Sequence, residues 1–309
     1  MSKPVVIVIC GPTASGKTAL SIELAKRING EIVSADSMQI YKDMDIGRAK
    51  VTHDEMQGIK HYLVDCVYPS ERYSVANYKQ DAKVAIAEIL NKGKTPIVVG
   101  GTGLYIDALI YEIEYKDIEI NEEYRKELEK IRDEQGLEVL YKKALEIDPK
   151  AMEKISSNDF KRITRILEIY EATGKTKTEQ EAESRLNEIP YNYKVFAISY
   201  DREKLYARIN RRVDIMIEKG LIEEVKKLLK KYSEFPTAMQ GLGYKEVKQY
   251  LDGKLTKEEM IEKIKQESRR YAKRQFTWFR KNKQTIWIDG QADINDNINI
   301  ILEESNIEK

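Results

Sequence analysis

The feature that most constrains this chain is the segment Gly11 to Thr18, which matches the pattern G-x-x-x-x-G-K-[ST]. It directly follows the apolar run Val5 to Cys10, and the residues after it, Ala19 to Ala25, have helical periodicity. Such a loop surrounds phosphate oxygens with backbone N–H groups, while the lysine and the helix N-terminus supply positive charge. The predicted diphosphate- or nucleotide-binding residues are Gly11, Pro12, Thr13, Ala14, Ser15, Gly16, Lys17 and Thr18. The hydroxyl of Thr18 is also the predicted ligand of Mg²⁺.

Length and charge limit the class of protein. A chain of 309 residues can form a large α/β domain and a smaller second domain. Its formal net charge is only +1, but basic residues concentrate at Lys161 to Arg165, Arg208 to Arg212 and Arg269 to Lys283. Overall neutrality therefore does not exclude a polyanionic partner.

Cysteine usage and hydropathy indicate the compartment. Cys10 and Cys66 have neither the spacing of a disulfide framework nor that of a metal site, and the two histidines add no metal-binding pattern. Free cysteines are typical of a reducing compartment, so we expect a cytoplasmic protein. The apolar start at Val5 is too short for a membrane span, so we expect neither a signal peptide nor an anchor.

The organisation of the chain is that of an α/β core interrupted by helices. The predicted strands are Val5 to Cys10, Glu31 to Ala35, His61 to Val64, Pro96 to Val99, Lys194 to Ser199 and Thr285 to Ile288. The predicted helices include Ser74 to Asn91, Glu122 to Gln135, Leu137 to Ile147 and Asp159 to Thr173. We therefore predict a P-loop NTPase-like parallel sheet with helices on both faces. The predicted domains are 1–111, the first part of the core; 112–190, a helical insertion; and 191–309, the second part with basic C-terminal helices.

Asp36 follows the second predicted strand. A carboxylate there lies at the carboxyl end of a parallel strand, on the same side of the sheet as the phosphate loop. Its candidate roles are general base and outer-sphere partner of Mg²⁺, and the structural alternative is an N-cap.

A second glycine cluster, Gly100 to Tyr105, follows another predicted strand. It is either a tight strand-to-helix turn or a loop that brings the Thr102 hydroxyl into the same cleft, where it can bond a leaving-group oxygen or a substrate amine.

Two basic segments fit RNA. In the first, Lys161, Arg162 and Arg165 share one helical sector, and a solvated basic face is the alternative interpretation. In the second, Ser268 to Arg280, cations alternate with aromatic residues, which suits a phosphate backbone.

Seven segments, in order, resemble the motifs of bacterial tRNA dimethylallyltransferases, also called tRNA isopentenyltransferases. They cover nearly the whole chain and are Gly11 to Thr18, Asp36 to Tyr41, Tyr73 to Tyr78, Gly100 to Tyr105, Asp159 to Glu168, Gln240 to Glu246 and Tyr271 to Arg280. The patterns D-S-x-Q-x-Y, G-G-T-G-L-Y and Y-A-K-R-Q-x-T-W-F-R make chance similarity improbable.

The resemblance implies transfer of a dimethylallyl group from dimethylallyl diphosphate to N6 of the adenosine 3′-adjacent to the anticodon, in tRNAs reading codons that begin with U. Diphosphate leaves, stabilised by the phosphate loop and Mg²⁺. Asp36 is then the general base, with Thr102 and Lys17 at the reacting centre, and the target base flips out of the anticodon loop. The implied partners are the tRNA anticodon stem-loop and dimethylallyl diphosphate, and we expect a monomer without membrane or protein partners.

The residues that the resemblance assigns to tRNA lie in six parts of the chain. They are Asp36, Ser37, Met38, Gln39, Thr102, Arg125, Lys161, Arg162, Ile163, Thr164, Arg165, Gln240, Gly241, Tyr244, Lys245, Lys273, Arg274 and Arg280. Arg208 and Arg212 are both candidates for diphosphate contact, and the sequence does not choose between them.

One loop departs from the family pattern, and three other functions are alternatives. Gly47 to Val51 reads Gly-Arg-Ala-Lys-Val where the family usually has Gly-Thr-Ala-Lys-Pro. The main alternative is a small-molecule kinase with ATP in the phosphate loop, which leaves the long basic and helical remainder unexplained. An adenylate isopentenyltransferase shares the chemistry without needing the C-terminal basic helix. A non-enzymatic RNA-binding or switch NTPase module is the third alternative.

Overall fold

The computed structural model describes residues 3–115, 121–184 and 186–307. Both chain ends and a short part of the predicted insertion lie outside these described residues. The chain forms two compact units, one of Met1–Leu109 with Pro190–Lys309 and one of Ile110–Ile189.

A parallel sheet forms the centre of the first unit. Among the described residues its strands are β1 (Val5–Cys10), β2 (Gly30–Ser34), β3 (His61–Tyr62), β4 (Thr95–Gly100), β5 (Asn192–Ser199) and β6 (Ile286–Asp289). Their order is β3-β2-β4-β1-β5-β6, and each neighbouring pair is parallel. The predicted strands are therefore confirmed, although β3 is shorter than predicted. Leu63 and Asp65 have φ angles of 60° and 56°, which the extended conformation of a strand does not allow.

The helices follow the predicted periodicity. In chain order they are α1 (Lys17–Arg27), α2 (His53–Met56), α3 (Val75–Asn91), α4 (Gly103–Ile110), α5 (Glu122–Gln135), α6 (Leu137–Ile147), α7 (Pro149–Met152), α8 (Phe160–Thr173), α9 (Lys177–Ser184), α10 (Arg202–Glu218), α11 (Leu221–Lys231), α12 (Tyr244–Leu251), α13 (Lys257–Phe279) and α14 (Ile294–Ser305). Local sequence fixes several starts: a capping box of Ser74 with Asn77 begins α3, and one of Thr256 with Glu259 begins α13.

The sheet is buried because helices cover it. Val6, Ile7, Val8 and Ile9 of β1 are fully buried, as expected of a central parallel strand. A second core in the same unit packs the loop after β2, including Ile40 and Met44, against α10 to α13. This packing fixes the chain that leaves the carboxyl end of β2, where Asp36 lies.

The second unit is helical in its described residues. Its core joins Leu128 of α5, Leu140 of α6 and Ile166 of α8. The helices α5 and α6 have the predicted bounds. Among the described residues, none of the helices combines the length and apolar character needed to cross a lipid bilayer.

Candidate active site

The phosphate loop connects β1 to α1. Gly16 has a φ of 94° at the N-cap of α1, a left-handed conformation that strains most other residues. No side chain caps this helix, so the first N–H groups of α1 are available to an anion. Local geometry here is that of an anion-binding helix start.

Lys17 lies across this loop. Its ammonium donates to the carbonyl oxygens of Gly11, at 3.0 Å, and Pro12, at 2.7 Å. Burial lowers the pKa of Lys17 to about 8, and the negative charge of Asp36 opposes that shift. The cation is thus held near both the loop and a carboxylate.

Asp36 follows β2, as predicted. Its Oδ1 accepts hydrogen bonds from the backbone N–H groups of Met38, at 2.9 Å, and Gln39, at 3.4 Å. These bonds are those expected of the alternative role of Asp36, an N-cap for the next turn. They also fix the direction of the carboxylate, whose charge favours the protonated forms of Lys17 and Arg212.

The second glycine loop is tied to the segment of Asp36. A Cβ atom on Gly100 would lie 2.1 Å from the carbonyl oxygen of Ala35, so only glycine fits this close approach. The N–H of Thr102 donates to the same oxygen, at 3.1 Å, and Thr102 Oγ1 accepts from the N–H of Ser37, at 3.0 Å. The Thr102 hydroxyl also donates to Oγ of Ser37, at 3.3 Å. The predicted proximity of Thr102 to the Asp36 segment is thus present, although its hydroxyl is largely occupied.

Gln275 of α13 connects the phosphate loop to the second glycine loop. Its Oε1 accepts from the N–H of Thr13, at 3.0 Å, and its Nε2 donates to the carbonyl oxygen of Gly101, at 2.8 Å. The side chain is 5% exposed. Since a buried amide with both partners satisfied is rigid, Gln275 fixes the spacing between the loops.

A cavity and an adjoining groove open at this edge of the sheet. The cavity is lined by residues that include Thr13, Lys17, Thr18, Asp36, Gln39, Arg48, Gly101, Arg212, Tyr271 and Gln275. The groove runs along the phosphate loop and is lined by residues that include Ser15, Gly16, Lys17, Thr18, Ala49, Arg208, Arg211 and Arg212. Lys17, Thr18 and Arg212 line both.

The two candidate arginines of α10 differ in environment. Arg208 is exposed, and its Nε donates to the carbonyl oxygen of Ala14, at 2.8 Å. Arg212 is half-buried, and its Nη2 donates to the carbonyl oxygen of Arg48, at 2.7 Å. The Nε of Arg212 is buried and has no hydrogen-bond partner among the described residues. Arg212 thus retains a donor inside the site.

The residues of the first unit predicted to contact tRNA have different exposures. Gln240, Lys273, Arg274 and Arg280 are exposed, while Ser37, Met38, Gln39 and Lys245 are half-buried. Gly241 is buried against Arg48 and Met38. Tyr244 is fully buried and donates its hydroxyl to Glu224, at 2.7 Å. Its ring belongs to a core, and its contact with tRNA stays a prediction.

The basic helix α8 has an exposed side and a buried side, and its contact with tRNA stays a prediction. Lys161 and Arg162 are exposed and Arg165 is half-buried, which fits the predicted basic sector. Ile163 is fully buried, and Thr164, 6% exposed, donates its hydroxyl to the carbonyl oxygen of Phe160, at 2.9 Å. Helical periodicity turns these two side chains into the core of the second unit, so they do not belong to its surface.

Arg125 of the same unit is engaged in an ion pair. Its Nε and Nη2 donate to Oε1 of the buried Glu168, at 2.9 and 2.6 Å. Arg165 bonds the other carboxylate oxygen, at 3.4 Å. These contacts link α5 to α8, so Arg125 has a structural role whatever else it does.

Comparisons with known proteins decide the family. A family model described as IPP transferase matches residues 39–282. The tRNA dimethylallyltransferase of Acetivibrio thermocellus is 55% identical over 285 residues, 92% of this chain and 91% of that protein. The chain belongs to the IPP transferase family.

Solved structures agree with this assignment. The tRNA isopentenylpyrophosphate transferase of Bacillus halodurans superposes with a TM-score of 0.73 at 44% identity, covering 99% of this chain and 97% of that one. A eukaryotic dimethylallyltransferase acting on tRNA has a TM-score of 0.74 at 33% identity, covering 93% and 74%. The predicted resemblance, the fold class and the enzyme class, a prenyltransferase, are confirmed.

Sequence reasoning missed three residues of this IPP transferase site. Gln275 and Tyr271 lie inside a quoted motif, but nothing in it shows that α13 returns to the phosphate loop. Arg48 was noted only as a departure from the family pattern, and the structure places it in the cavity.

Proposed function

We propose that this protein transfers the dimethylallyl group of dimethylallyl diphosphate to N6 of the adenosine on the 3′ side of the anticodon, in tRNAs reading codons that begin with U. One observation carries the proposal: a single cavity is lined by the anion-binding loop with Lys17 and by the carboxylate Asp36. The names of the relatives, which refer to tRNA, support the acceptor.

The reaction needs stabilisation of a leaving group and removal of a proton. The bond from the dimethylallyl C1 to a diphosphate oxygen breaks, and its electron pair leaves with diphosphate. The bond from N6 to C1 forms, and the N6 proton passes to Asp36. The N–H groups at the start of α1 and the ammonium of Lys17 stabilise the negative charge that develops on the diphosphate.

Arg212 rather than Arg208 binds the diphosphate in this proposal. The buried Nε of Arg212 is without a partner in the described chain, and a guanidinium suits phosphate oxygens. Arg208 uses its Nε on the carbonyl oxygen of Ala14. We therefore assign Arg208 to supporting the phosphate loop.

Asp36 is oriented for proton transfer by its surroundings. Two backbone N–H groups hold its Oδ1, and the bonds of Thr102 to Ser37 and Ala35 hold the chain around it. A base held in one orientation needs no rearrangement as the proton moves.

The site fits a divalent cation held mainly by substrate. Prenyl diphosphate transferases commonly use such a metal. No group of three His, Cys, Asp or Glu side chains able to hold a metal occurs in residues 3–115, 121–184 and 186–307, whereas Thr18 lines both the cavity and the groove. A hydroxyl, diphosphate oxygens and water form the oxygen-rich set that Mg²⁺ prefers. We propose that the Thr18 hydroxyl would hold Mg²⁺, whose charge would stabilise the leaving diphosphate.

RNA contact is proposed for cations on both units. The exposed ones are Lys273, Arg274 and Arg280 on the first unit and Lys161 and Arg162 on the second, and the half-buried Lys245 and Arg165 and the exposed Gln240 are proposed with them. Solvated cations suit phosphate contacts that position the RNA. We propose that the insertion, 112–190, contacts the anticodon stem-loop, and that the protein acts in the cytoplasm as a monomer.

The test is a transfer assay with labelled donor. Purified protein is incubated with ¹⁴C-labelled dimethylallyl diphosphate, Mg²⁺ and an unmodified tRNA transcript, and with a matched transcript carrying guanosine at the position 3′ of the anticodon. We expect label in the first transcript only, and none with Asp36→Ala.

Two further arms separate the competing functions. AMP is offered as acceptor, and ATP as donor. Label on AMP without label on tRNA would identify an adenylate isopentenyltransferase, and ADP formation without prenyl transfer would identify a kinase. Either result would refute the proposed function.

A further inference from the structure

Arg48 has buried hydrogen-bond donors that the proposed mechanism does not use. Its Nε and Nη2 have no partner among the described residues, and the residue lines the cavity with Lys17 and Arg212. A buried charged donor without a partner costs free energy. Such donors call for a partner, and in a cavity that partner is water, an ion or a ligand.

The loop that carries Arg48 is rigidly held. The carboxylate of Glu224 accepts from the N–H groups of Asp45, Ile46 and Gly47, at 2.9, 2.8 and 3.2 Å. The buried Lys50 donates to the carbonyl oxygen of Tyr41, at 2.8 Å, and to Asp45, at 2.6 Å. The backbone on both sides of Arg48 is therefore fixed before any ligand arrives.

The side chain of Arg48 is also positioned. Its guanidinium lies over the ring of Tyr244, 5.6 Å from the centroid, and the Tyr244 hydroxyl bonds the same Glu224. A Cβ atom on Gly241 would lie 1.7 Å from Nη2 of Arg48, so the glycine provides the space for this guanidinium. The Tyr244 ring and Gly241 thus hold the guanidinium in place, while its Nε and Nη2 have no hydrogen-bond partner among the described residues.

Arg48 and Arg212 form a pair of like charges. The Nη2 of Arg212 donates to the carbonyl oxygen of Arg48, at 2.7 Å, and Nε of Arg212 is a second buried donor without a partner in the described chain. Burial lowers the pKa of Arg212, the negative charge of Asp36 opposes this, and the positive charge of Arg48 lowers it further. An anion between the two guanidinium groups would relieve this repulsion and satisfy both sets of donors.

We propose that Arg48 joins Arg212 in binding the phosphate oxygens of the prenyl diphosphate, as an additional anion contact that the usual family threonine cannot make. The identity of the anion rests on the proposed function. RNA phosphates share its chemistry, but the position favours diphosphate, because Arg212 and the neighbouring Ala49 line the cavity and also the groove along the phosphate loop.

The test is calorimetric titration of the full-length protein with inorganic diphosphate and Mg²⁺. We expect Arg48→Thr to raise the Kd about tenfold, since it removes a charge-assisted contact. Arg48→Lys should have an intermediate Kd, because it keeps the charge and loses the planar donors. The matched control is Arg202→Thr, which removes an exposed arginine that also lies over a tyrosine ring, outside the cavity and the groove. Its Kd should equal that of wild type.

Titration of the same proteins with unmodified tRNA separates the two sources of phosphate. We expect Arg48→Thr to change the tRNA Kd less than about twofold, because a cavity contact to diphosphate contributes nothing to RNA binding alone. An unchanged diphosphate Kd in a variant with wild-type Tm would overturn the proposal, and loss of tRNA affinity alone would assign Arg48 to RNA.

Gly241→Ala gives an independent route to the same contact. Its methyl group displaces the Arg48 side chain, so diphosphate binding should weaken, whereas in the Arg48→Thr background it should cause no further loss. Additive losses would contradict the proposal. These titrations measure binding and not turnover. If diphosphate binding depends on Arg48 but the protein fails to prenylate tRNA, the proposed function is refuted and this inference stands.

Discussion

The cavity of the first unit and the basic face of α8 both present positive charge, but they hold it differently. Lys17 and Arg212 are half-buried and bonded to backbone oxygens. Lys161 and Arg162 are exposed side chains on a solvated helix. A fixed, partly desolvated charge acts strongly on one neighbouring group, whereas an exposed charge acts through a field that salt screens. We therefore expect substitutions in the cavity to change turnover, and those on α8 to change RNA affinity and its salt dependence.

The largest effect should come from Asp36→Asn. The amide keeps the shape of the side chain and one acceptor oxygen for the N–H groups of Met38 and Gln39, but it cannot take a proton. Removal of a general base typically costs about 10²- to 10⁴-fold in rate. Single-turnover prenyl transfer at saturating tRNA and donor measures this loss.

The affinity of this variant for tRNA completes the experiment. We expect it to stay within a factor of about two of wild type, since the substitution leaves the phosphate contacts intact. If the variant had normal turnover, Asp36 would not be the general base. The expected contrast between the cavity, which governs turnover, and α8, which governs RNA affinity, would then be weaker.

Gln275→Ala should lower stability and turnover together. It leaves the N–H of Thr13 and the carbonyl oxygen of Gly101 without their partner, at a cost of about 1–3 kcal/mol in the free energy of unfolding. Urea denaturation measures this cost. Gln275→Glu retains an acceptor for Thr13 but buries a carboxylate and turns one of its oxygens toward the carbonyl oxygen of Gly101, so it should be at least as destabilising as the alanine variant.

The exposed Gln266 on the same helix provides the control for this substitution. Gln266→Ala should change the unfolding free energy by less than about 0.5 kcal/mol, as is usual at the surface. Equal effects at both positions would mean that Gln275 does not fix the two loops.

The sequence alone predicts more of the fold than of the site. Apolar runs of β-branched residues define β1 and β4, and helical periodicity places α5 and α6 with their observed bounds, because both signals are local. The phosphate loop is likewise contained in one short segment. Local patterns cannot show that α13 brings Gln275 between two loops more than 170 positions away.

The same limit applies within the motifs. Ile163 and Tyr244 lie inside segments for which the resemblance predicts RNA contact, and a motif does not separate the side chains that contact a ligand from those that support it. Burial separates them: both are fully buried. Arg48 is the opposite case, a cavity residue outside the quoted motifs. Its position beside Arg212 depends on Glu224, which is remote in the sequence.

The pH dependence of diphosphate binding should report the state of Lys17. Burial lowers its pKa to about 8, so the ammonium predominates below pH 8 and is lost above it. An anion binds the protonated form, and affinity should therefore fall as pH rises from 7 to 9, by up to about tenfold per unit above the pKa. Calorimetric titration with diphosphate and Mg²⁺ across this range measures the fall.

Lys17→Arg is the comparison protein for this titration. Its guanidinium stays charged throughout the range, while the ionisation of diphosphate itself is common to both proteins. The difference between the two profiles thus isolates Lys17. Parallel profiles would show that Lys17 does not titrate in the unliganded site.

The smallest effect at physiological salt should come from the double variant Lys161→Gln with Arg162→Gln. If both residues contact RNA phosphates, the slope of log affinity against log salt should become shallower by about 1.4–1.8. Turnover at saturating tRNA should stay unchanged, because neither residue lines the cavity. The control, Lys130→Gln with Lys142→Gln, removes the same charge from exposed lysines of α5 and α6. If this control shifted the slope equally, the second unit would act through its net charge, and the assignment of α8 as the RNA-contacting face would be wrong.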